Sequence, residues 1–353
     1  MKRILLTMPF LLIALNLFSQ DSLEKKPNGF SLHGYADLYY QHAIQPAGKE
    51  NPTFIYNFKV NGALRQNLAL MQLDHSTEKW KAAISLMNGD YSRYNLSSEP
   101  GFLRHVYEAS LTCYLNKKWS IQAGIFPSHI GYETAISSSN WNLGRSLVAE
   151  NSPYYETGLK LNYTSQNNWS FDLLFLNGWQ HIKDNNREPA LGTHIQGSIG
   201  KKLEFSSAGF IGAEGADSIK QLRIFHDFFC TWKKDRKNEF TFIIDIGAEK
   251  NDPDHSRFWW GTALLYRHHF SERWKLGSKA EIFSDRDHVL FTTPSPRAKP
   301  ISGFALNLDY LPCKWLIIRT EARFLYSGSA MANFNTQPVD HIANFLTCLA
   351  FYL

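Results

Sequence analysis

Cysteine is scarce: Cys113, Cys230, Cys313 and Cys348 are the four in 353 residues. So few, so widely spaced, build no disulfide framework, and small buried or lipid-facing thiols are the reading they support. Long apolar runs are missing as well. Beyond the first twenty residues nothing approaches the ~20 consecutive apolar residues of a membrane helix, which excludes a helical membrane protein. An excess of one charge is absent: 37 Lys and Arg stand against 32 Asp and Glu, spread evenly, so no basic surface points to nucleic acid. There is no phosphate-cradling glycine loop, no His-Glu-x-x-His, no Cys-x-x-Cys and no Gly-x-Ser-x-Gly, so no catalytic residue, metal or cofactor is assigned. His268 and His269 are adjacent, so on a strand they point to opposite faces and cannot share a metal. Asp285, Asp287 and His288 read as solvated loop charges more readily than as an external cation site.

What is present starts at the N-terminus. Lys2 and Arg3 precede an apolar run from Ile4 to Phe18, and polar sequence begins at Gln20. That is the pattern of a secretory signal peptide over residues 1–20, with cleavage after Ser19 or Gln20; no cysteine nearby suggests a lipid anchor. Loss of Lys2 and Arg3 leaves 35 basic against 32 acidic residues, a net +3. A short periplasmic segment is expected over 21–29 and a single β-domain over 30–353. Hydrophobic residues make up 44% of the chain, which excludes disorder. Aromatic residues are unusually frequent at 14%, and their placement carries information.

From Phe30 onward the apolar pattern has period two, not 3.6. Phe240, Phe242, Ile244 and Ile246 alternate with Thr241, Ile243, Asp245, Gly247 and Glu249; Phe304, Leu306, Leu308 and Tyr310 alternate with Ala305, Asn307 and Asp309. About sixteen such segments follow one another, with fourteen as the alternative count. They lie near 30–43, 61–76, 78–91, 104–115, 119–131, 153–165, 168–180, 192–201, 203–213, 221–233, 239–250, 257–270, 273–285, 302–312, 314–327 and 342–353. Most match the ~9–11 residues of a tilted transmembrane strand, and some are longer. Short connections alternate with long ones, the longer falling near 44–60, 92–103, 132–152, 181–191, 214–220, 251–256, 286–301 and 328–341. Short turns on one rim and long loops on the other predict an all-β, antiparallel, up-and-down transmembrane barrel with short periplasmic turns and longer extracellular loops. Such a barrel belongs in the outer membrane of a Gram-negative bacterium, with outer-membrane lipids around it.

Tryptophan supplies an independent signal. Trp80, Trp119, Trp169, Trp274 and Trp315 each open a segment after a short turn, and Trp232 closes one before a turn. A ring of indoles at one height is what a membrane–water interface selects, because the ring prefers hydrocarbon and its N–H prefers water. Alternation around Trp315 places it either in the turn or beside a bulge. Counting back by two from Leu353 gives Phe351, Leu349, Thr347 and Phe345, an apolar closing face of the kind that barrel-assembly machinery recognises.

Sixteen strands enclose a channel instead of a side-chain-filled core. The faces opposite the apolar ones carry Asp37, Glu108, Glu156, Lys160, Arg223, Asp227, Asp245, Glu249, Lys275, Lys279, Glu281, Asp309, Arg319, Glu321 and Arg323. These are the expected pore-lining residues, of both signs, in a water-filled lumen.

The sequence also resembles a known family. Gly124-Ile-Phe-Pro-Ser-His-Ile-Gly-Tyr-Glu133, Ala149-Glu-Asn-Ser-Pro-Tyr-Tyr-Glu-Thr-Gly158, Leu176-Asn-Gly-Trp-Gln180, and Ser98-Glu-Pro-Gly101 followed by Tyr107-Glu-Ala109 carry the likeness. They are similar to the OmpL-like β-barrel porins of the Bacteroidota outer membrane. The resemblance runs from about Gly34 to the C-terminus and implies a porin-like role: passive diffusion of small hydrophilic solutes or ions. It supplies no catalytic residue. In general porins the third long loop folds into the barrel; here that loop, about 132–152, holds Glu133, Arg145 and Glu150, the candidate constriction opposite Arg319 and Arg323. An ordinary surface loop in which Glu150 pairs locally is the competing expectation. A homotrimer is expected from the fold alone. Rival functions are an outer-membrane barrel lipid hydrolase, which needs a Ser/His pair on the lipid-facing surface near a rim, and a non-conducting adhesion or assembly platform.

Overall fold

The computed structural model describes residues 28–44, 48–167, 169–216, 221–252, 255–334 and 337–352. The leader expected over 1–20, most of the segment expected over 21–29, and Leu353 lie outside the described residues.

Alternating sequence becomes strand throughout. The elements are β1 (Gly29–Ala43), β2 (Leu64–Ser76), β3 (Trp80–Asn88), α1 (Asp90–Asn95), β4 (Val106–Tyr114), β5 (Trp119–Pro127), α2 (Leu147–Glu150), β6 (Tyr155–Thr164), β7 (Ser170–Leu176), β8 (Ala190–Ile199) and β9 (Leu203–Glu214). They continue with β10 (Gln221–Lys233), β11 (Asn238–Asp252), β12 (His255–His269), β13 (Trp274–Ser284), β14 (Ile301–Cys313), β15 (Leu316–Ser327), β16 (Ala332–Phe334), β17 (Gln337–Val339) and β18 (His341–Tyr352). Sixteen of them, β1 to β15 and β18, form one closed barrel in which β18 pairs antiparallel with both β15 and β1; β16 and β17 form a separate hairpin. All sixteen expected segments are strands, so the fourteen-strand alternative falls away. Closure leaves no strand edge, the condition for β-structure in hydrocarbon, where nothing else can satisfy a free N–H or C=O.

The outer face declares its solvent. On β12, Phe258 and Leu264 are 58% and 50% exposed, whereas their neighbours Trp259 and Leu265 are almost wholly buried. Ile84, Leu159, Leu173, Ile195, Ile224, Ile246, Phe304 and Phe345 continue this apolar surface around the barrel. In water such a belt would be far larger than the patches soluble proteins expose; in lipid it costs nothing. At the short-turn rim the expected tryptophans pair with outward aromatics: Trp119 with Tyr163 at 4.8 Å, Trp232 with Phe240 at 5.6 Å and Trp274 with Tyr310 at 4.4 Å between ring centroids. Trp80 lies tilted against His75, and the Trp169 ring lies over Gly197. Trp315 sits in the turn before β15, and the β14–β15 register also shifts between Tyr310 and Cys313. His268 joins this aromatic rim against Phe270, while His269 pairs with Glu239. All four cysteines are free.

The strand ends depart from the periodicity where the chain turns inward. β3 stops at Asn88 because Gly89, at φ +125°, redirects the backbone into α1. β5 stops at Pro127, which has no N–H for the ladder, and β7 stops at Leu176, ahead of Asn177 and Gly178. The loop expected over 251–256 shrinks instead, since β11 runs to Asp252 and β12 starts at His255. Asp285 is no solvated charge: its carboxylate accepts from the N–H groups of Val289, Leu290 and Phe291 and knots the loop after β13.

Part of the interior, where a water-filled lumen lined by charge is expected, is taken up by the chain itself. Residues 128–154, between β5 and β6, fold into the barrel, and Phe54, Ile55 and Phe58 of the first long loop accompany them. Phe210, Phe225, Ile243, Trp259, Leu265 and Phe283 point inward and form one buried cluster with Leu147 and Val148 of α2. Trp259 stacks on Phe225, and Trp179 meets Phe225 edge-on at 4.8 Å. The inserted segment has its own apolar side chains to bury, and the wall of β9 to β13 supplies the matching face.

Candidate functional site

The segment 128–154 is irregular backbone inside a barrel, so its polar groups need partners from the wall. Arg319 supplies several. Its guanidinium is fully buried, makes a bidentate pair with Asp309 at 2.7 and 3.1 Å, and donates to the carbonyls of Ser137, Asn140 (2.9 Å) and Trp141 (3.3 Å). Glu321 accepts from Asn142 Nδ2 and Gly144 N, both at 3.2 Å. Lys279 Nζ donates to Gly144 O at 2.7 Å, and Glu281 accepts from Leu147 N at 2.6 Å while holding Arg323. Gly277 permits the approach, because a Cβ there would collide with the Trp141 carbonyl. Ser146 caps α2 by accepting from Ala149 N at 3.3 Å.

On the opposite side the segment is held by His129, whose Nδ1 lies 2.8 Å from Glu156 and whose Nε2 lies 3.1 Å from Gly209 O. Burial alone would lower the His129 pKa; the Glu156 carboxylate outweighs it and raises the value. Asp227 accepts from Gly131 N at 3.3 Å.

The three candidate constriction residues are all buried, and they do not converge on one opening. Arg145 is braced against the Tyr154 ring, 3.5 Å from its centroid, and lies 3.4 Å from Glu150. Burial opposes its charge, but Tyr154, Glu150 and Tyr91 together hold its pKa above the ordinary arginine value. Glu150 does not pair only locally: it accepts from Tyr56 N at 2.7 Å and Asn57 N at 3.3 Å, joining the first long loop to the inserted segment. With Glu321 and Arg323 it borders a gap of about 20 Å³. Glu133 accepts from the N–H and hydroxyl of Ser146 through Oε2, while its Oε1 has no hydrogen-bond partner. Burial pushes its carboxyl above the usual glutamate range, against the opposing pull of Lys279 and Ser146. Nor do Arg319 and Arg323 face the three across open water, since their guanidinia are committed to Asp309 with loop carbonyls and to Glu281.

A larger space lies beside the segment, a cavity of about 510 Å³ between it and the wall of β2, β4, β5 and β18. Gln72, Glu108, Ser128, Glu133, Thr134, Ser138, Ser139 and the rings of Tyr107, Tyr132, Tyr154 and Tyr352 line this vestibule. Nearer the short turns the wall stays polar, with His194 bridging Asp172 (3.0 Å) and Ser206 (2.9 Å), and Asn162 bonded to Asp172.

All fifteen expected pore-lining residues occupy inward positions of the strand alternation. Glu108, Lys160, Lys275 and Arg323 are half-buried; Asp37, Glu156, Arg223, Asp227, Asp245, Glu249, Lys279, Glu281, Asp309, Arg319 and Glu321 are buried against the inserted chain or one another. Arg223 pairs with Glu249 at 2.6 Å, and Asp37 accepts from Tyr35 Oη and Leu68 N. Sequence reasoning missed Arg267, 3.5 Å from Asp309, the anchoring role of Gly277, and the tyrosines of the vestibule. One signal was available: in Trp259-Trp260 one of two adjacent indoles must face the lumen. A Ser/His pair does sit on the lipid-facing surface, Ser207 Oγ and His226 Nε2 at 3.4 Å, but near the middle of β9 and β10 and not at a rim.

Residues 29–352 match the family model described as "Putative beta-barrel porin-2, OmpL-like". Solved structures of similar fold include an anion-selective porin from Comamonas acidovorans, with TM-score 0.62 and 9% identity over 92% of this chain and 99% of that one. The outer membrane channel DcaP of Acinetobacter baumannii aligns with TM-score 0.59 and 10% identity over 93% and 99% of the two chains. The trimer form of OmpT, an outer membrane protein of Vibrio cholerae, aligns with TM-score 0.57 and 8% identity over 93% and 100%. No curated protein sequence matches significantly.

Proposed function

The chain belongs to the OmpL-like family of β-barrel porins in the Gram-negative outer membrane, and from that premise we propose that small hydrophilic solutes cross it passively, through the polar space between the inserted segment and the barrel wall. The observation that carries this reading is the vestibule of about 510 Å³, where polar side chains and tyrosine rings face a segment fixed inside a closed barrel. On this reading Glu133 and Glu150 set the charge that a solute meets at the two sides of the segment, and Arg145 braces it. Half-buried Glu108, Lys160 and Lys275 line the wetter stretches.

The apolar belt contacts outer-membrane lipid, β18 presents Phe345 and Leu349 to the barrel-assembly machinery, and three copies assemble as in the trimer form of the similar Vibrio protein. Residues 1–20 act as the export leader, which N-terminal sequencing of the mature protein tests. A lipid hydrolase needs its nucleophile at the depth of the ester groups; Ser207 and His226 lie near mid-strand, so no enzymatic role is assigned.

Reconstitution into planar bilayers decides. Stable stepwise conductance is expected. Absence of conductance together with lipid hydrolysis in vesicles would favour the hydrolase, and absence of both would favour an adhesion or assembly platform. Crosslinking in the native membrane tests the trimer.

A further inference from the structure

The vestibule has an unbalanced chemistry. Two carboxylates, Glu108 and Glu133, line it, and among the described residues no Lys, Arg or His does. Glu133 is 6% exposed, its Oε1 lacks any donor, and the neighbouring Tyr154 hydroxyl is likewise buried without a partner. Lys279, the cation acting most strongly on Glu133, is already spent on Gly144 O, and on Glu281 at 4.0 Å. A buried carboxylate oxygen left without a donor is costly, and a ligand that brings the donor relieves that cost; Glu133 Oε1 is the one such oxygen whose residue lines this cavity among the described residues. The rings of Tyr107, Tyr132 and Tyr352 border the same space, the lining that attracts cations to the negative face of a ring, while the face of Tyr154 already carries Arg145. At about 510 Å³ the cavity lies within the range of small-molecule sites.

Building on the porin reading, we propose that the vestibule binds small organic cations, solutes bearing an ammonium or guanidinium group, and that this makes the pore cation-preferring. The ligand's N–H groups meet Glu133 Oε1 at the inner wall and Glu108 at the half-buried outer wall, with its carbon chain against Tyr107, Tyr132 and Tyr352. Tyr154 Oη is free to accept a further N–H. An anionic solute would face two carboxylates and no cation in the lining. A neutral polyol would satisfy the hydrogen bonds and leave the charge unbalanced.

The test uses the full-length barrel in detergent, with agmatine as the cationic probe, sorbitol as the neutral one and gluconate as the anion, followed by titration calorimetry. Saturable binding of agmatine alone is expected. Glu133→Gln keeps an acceptor for Ser146 yet should weaken agmatine about ten- to hundredfold, the range for a lost charge-assisted hydrogen bond. Glu108→Gln, a change at a half-buried wall position, should weaken it in the same direction and decides the matter if Glu133→Gln fails to fold. In bilayers under a salt gradient, the reversal potential should favour cations in the wild type and move toward zero in both variants. Binding of sorbitol or gluconate as tight as that of agmatine, or variants that bind agmatine like the wild type, would overturn the proposal. Conductance without agmatine binding overturns this inference and leaves the porin reading standing; agmatine binding lost in Glu133→Gln, without any conductance, does the reverse.

Discussion

Replacing Arg319 with methionine tests how the segment is fixed inside the barrel. The change keeps side-chain volume and removes a fully buried guanidinium that pairs with Asp309 and donates to three carbonyls of the segment. Removing one partner of a buried ion pair costs about 3–5 kcal/mol, because the other charge is left uncompensated. Arg267, 3.5 Å from Asp309, takes up part of that charge, so the lower figure applies. About 3 kcal/mol corresponds to a shift of roughly a hundredfold in the equilibrium between seated and unseated segment. Glu321, Lys279 and Glu281 still hold residues 142–147, so the release is confined to the stretch over 137–141. Single-channel recording should then give larger and noisier conductance steps than the wild type, and thermal unfolding in detergent should move to lower temperature. Arg319→Lys, with a charge but no planar fork, should fall between the two. A methionine variant with the wild-type conductance, noise and melting profile would refute the assignment of Arg319 as the anchor.

Gly277→Val drives a side chain into the Trp141 carbonyl without altering charge, so its conductance should rise while its ion selectivity stays as in the wild type, read from the reversal potential. Leu264 is 50% exposed near the centre of β12, and Leu264→Arg should cost about 2–4 kcal/mol in urea unfolding from vesicles, whereas Leu264→Ala should cost far less. Burial raises the Glu133 pKa above its unfolded value, so the folded state holds that proton more tightly. The corresponding stabilisation is complete in acid and is lost as pH rises through the raised value. Protease cleavage within 128–154 should therefore be slower at about pH 4 than at about pH 7, and Glu133→Gln should flatten this contribution. Bound agmatine needs the ionised form, so its affinity should fall on acidification from a higher pH than an ordinary glutamate would give.

The barrel was legible because its rules are local. Alternation along each strand, the short-long order of connections and the indoles at turn ends all operate within a dozen residues, and each has its counterpart in the sixteen-strand sheet. The interior was not. Arg319 grips main-chain carbonyls, which leave no mark in a side-chain pattern, and Gly277 matters only because Trp141 arrives from far along the chain. Charges such as Asp227 and Glu281 lie on the face opposite the apolar one, but whether that face meets water or another stretch of chain depends on the path of residues 128–154. Even the paired indoles Trp259 and Trp260, one toward lipid and one toward the lumen, yield their meaning only when the inward ring is given Trp179 and Phe225 as neighbours.

The grip of β13 and β15 on the inserted segment also fixes an order of assembly. Gly144 and Glu321 are 177 positions apart, and Ser137 and Arg319 are 182 apart, so the segment has no seat until nearly the whole chain is in place. Contacts of such long range are the slowest to form. The β1–β18 seam, which joins Tyr35 to Tyr352, spans still more of the chain, so seating the segment and closing the wall are both late events. The restriction thus depends on strands made late in the chain: a barrel that loses β13 and β15 loses the grip on residues 137–147.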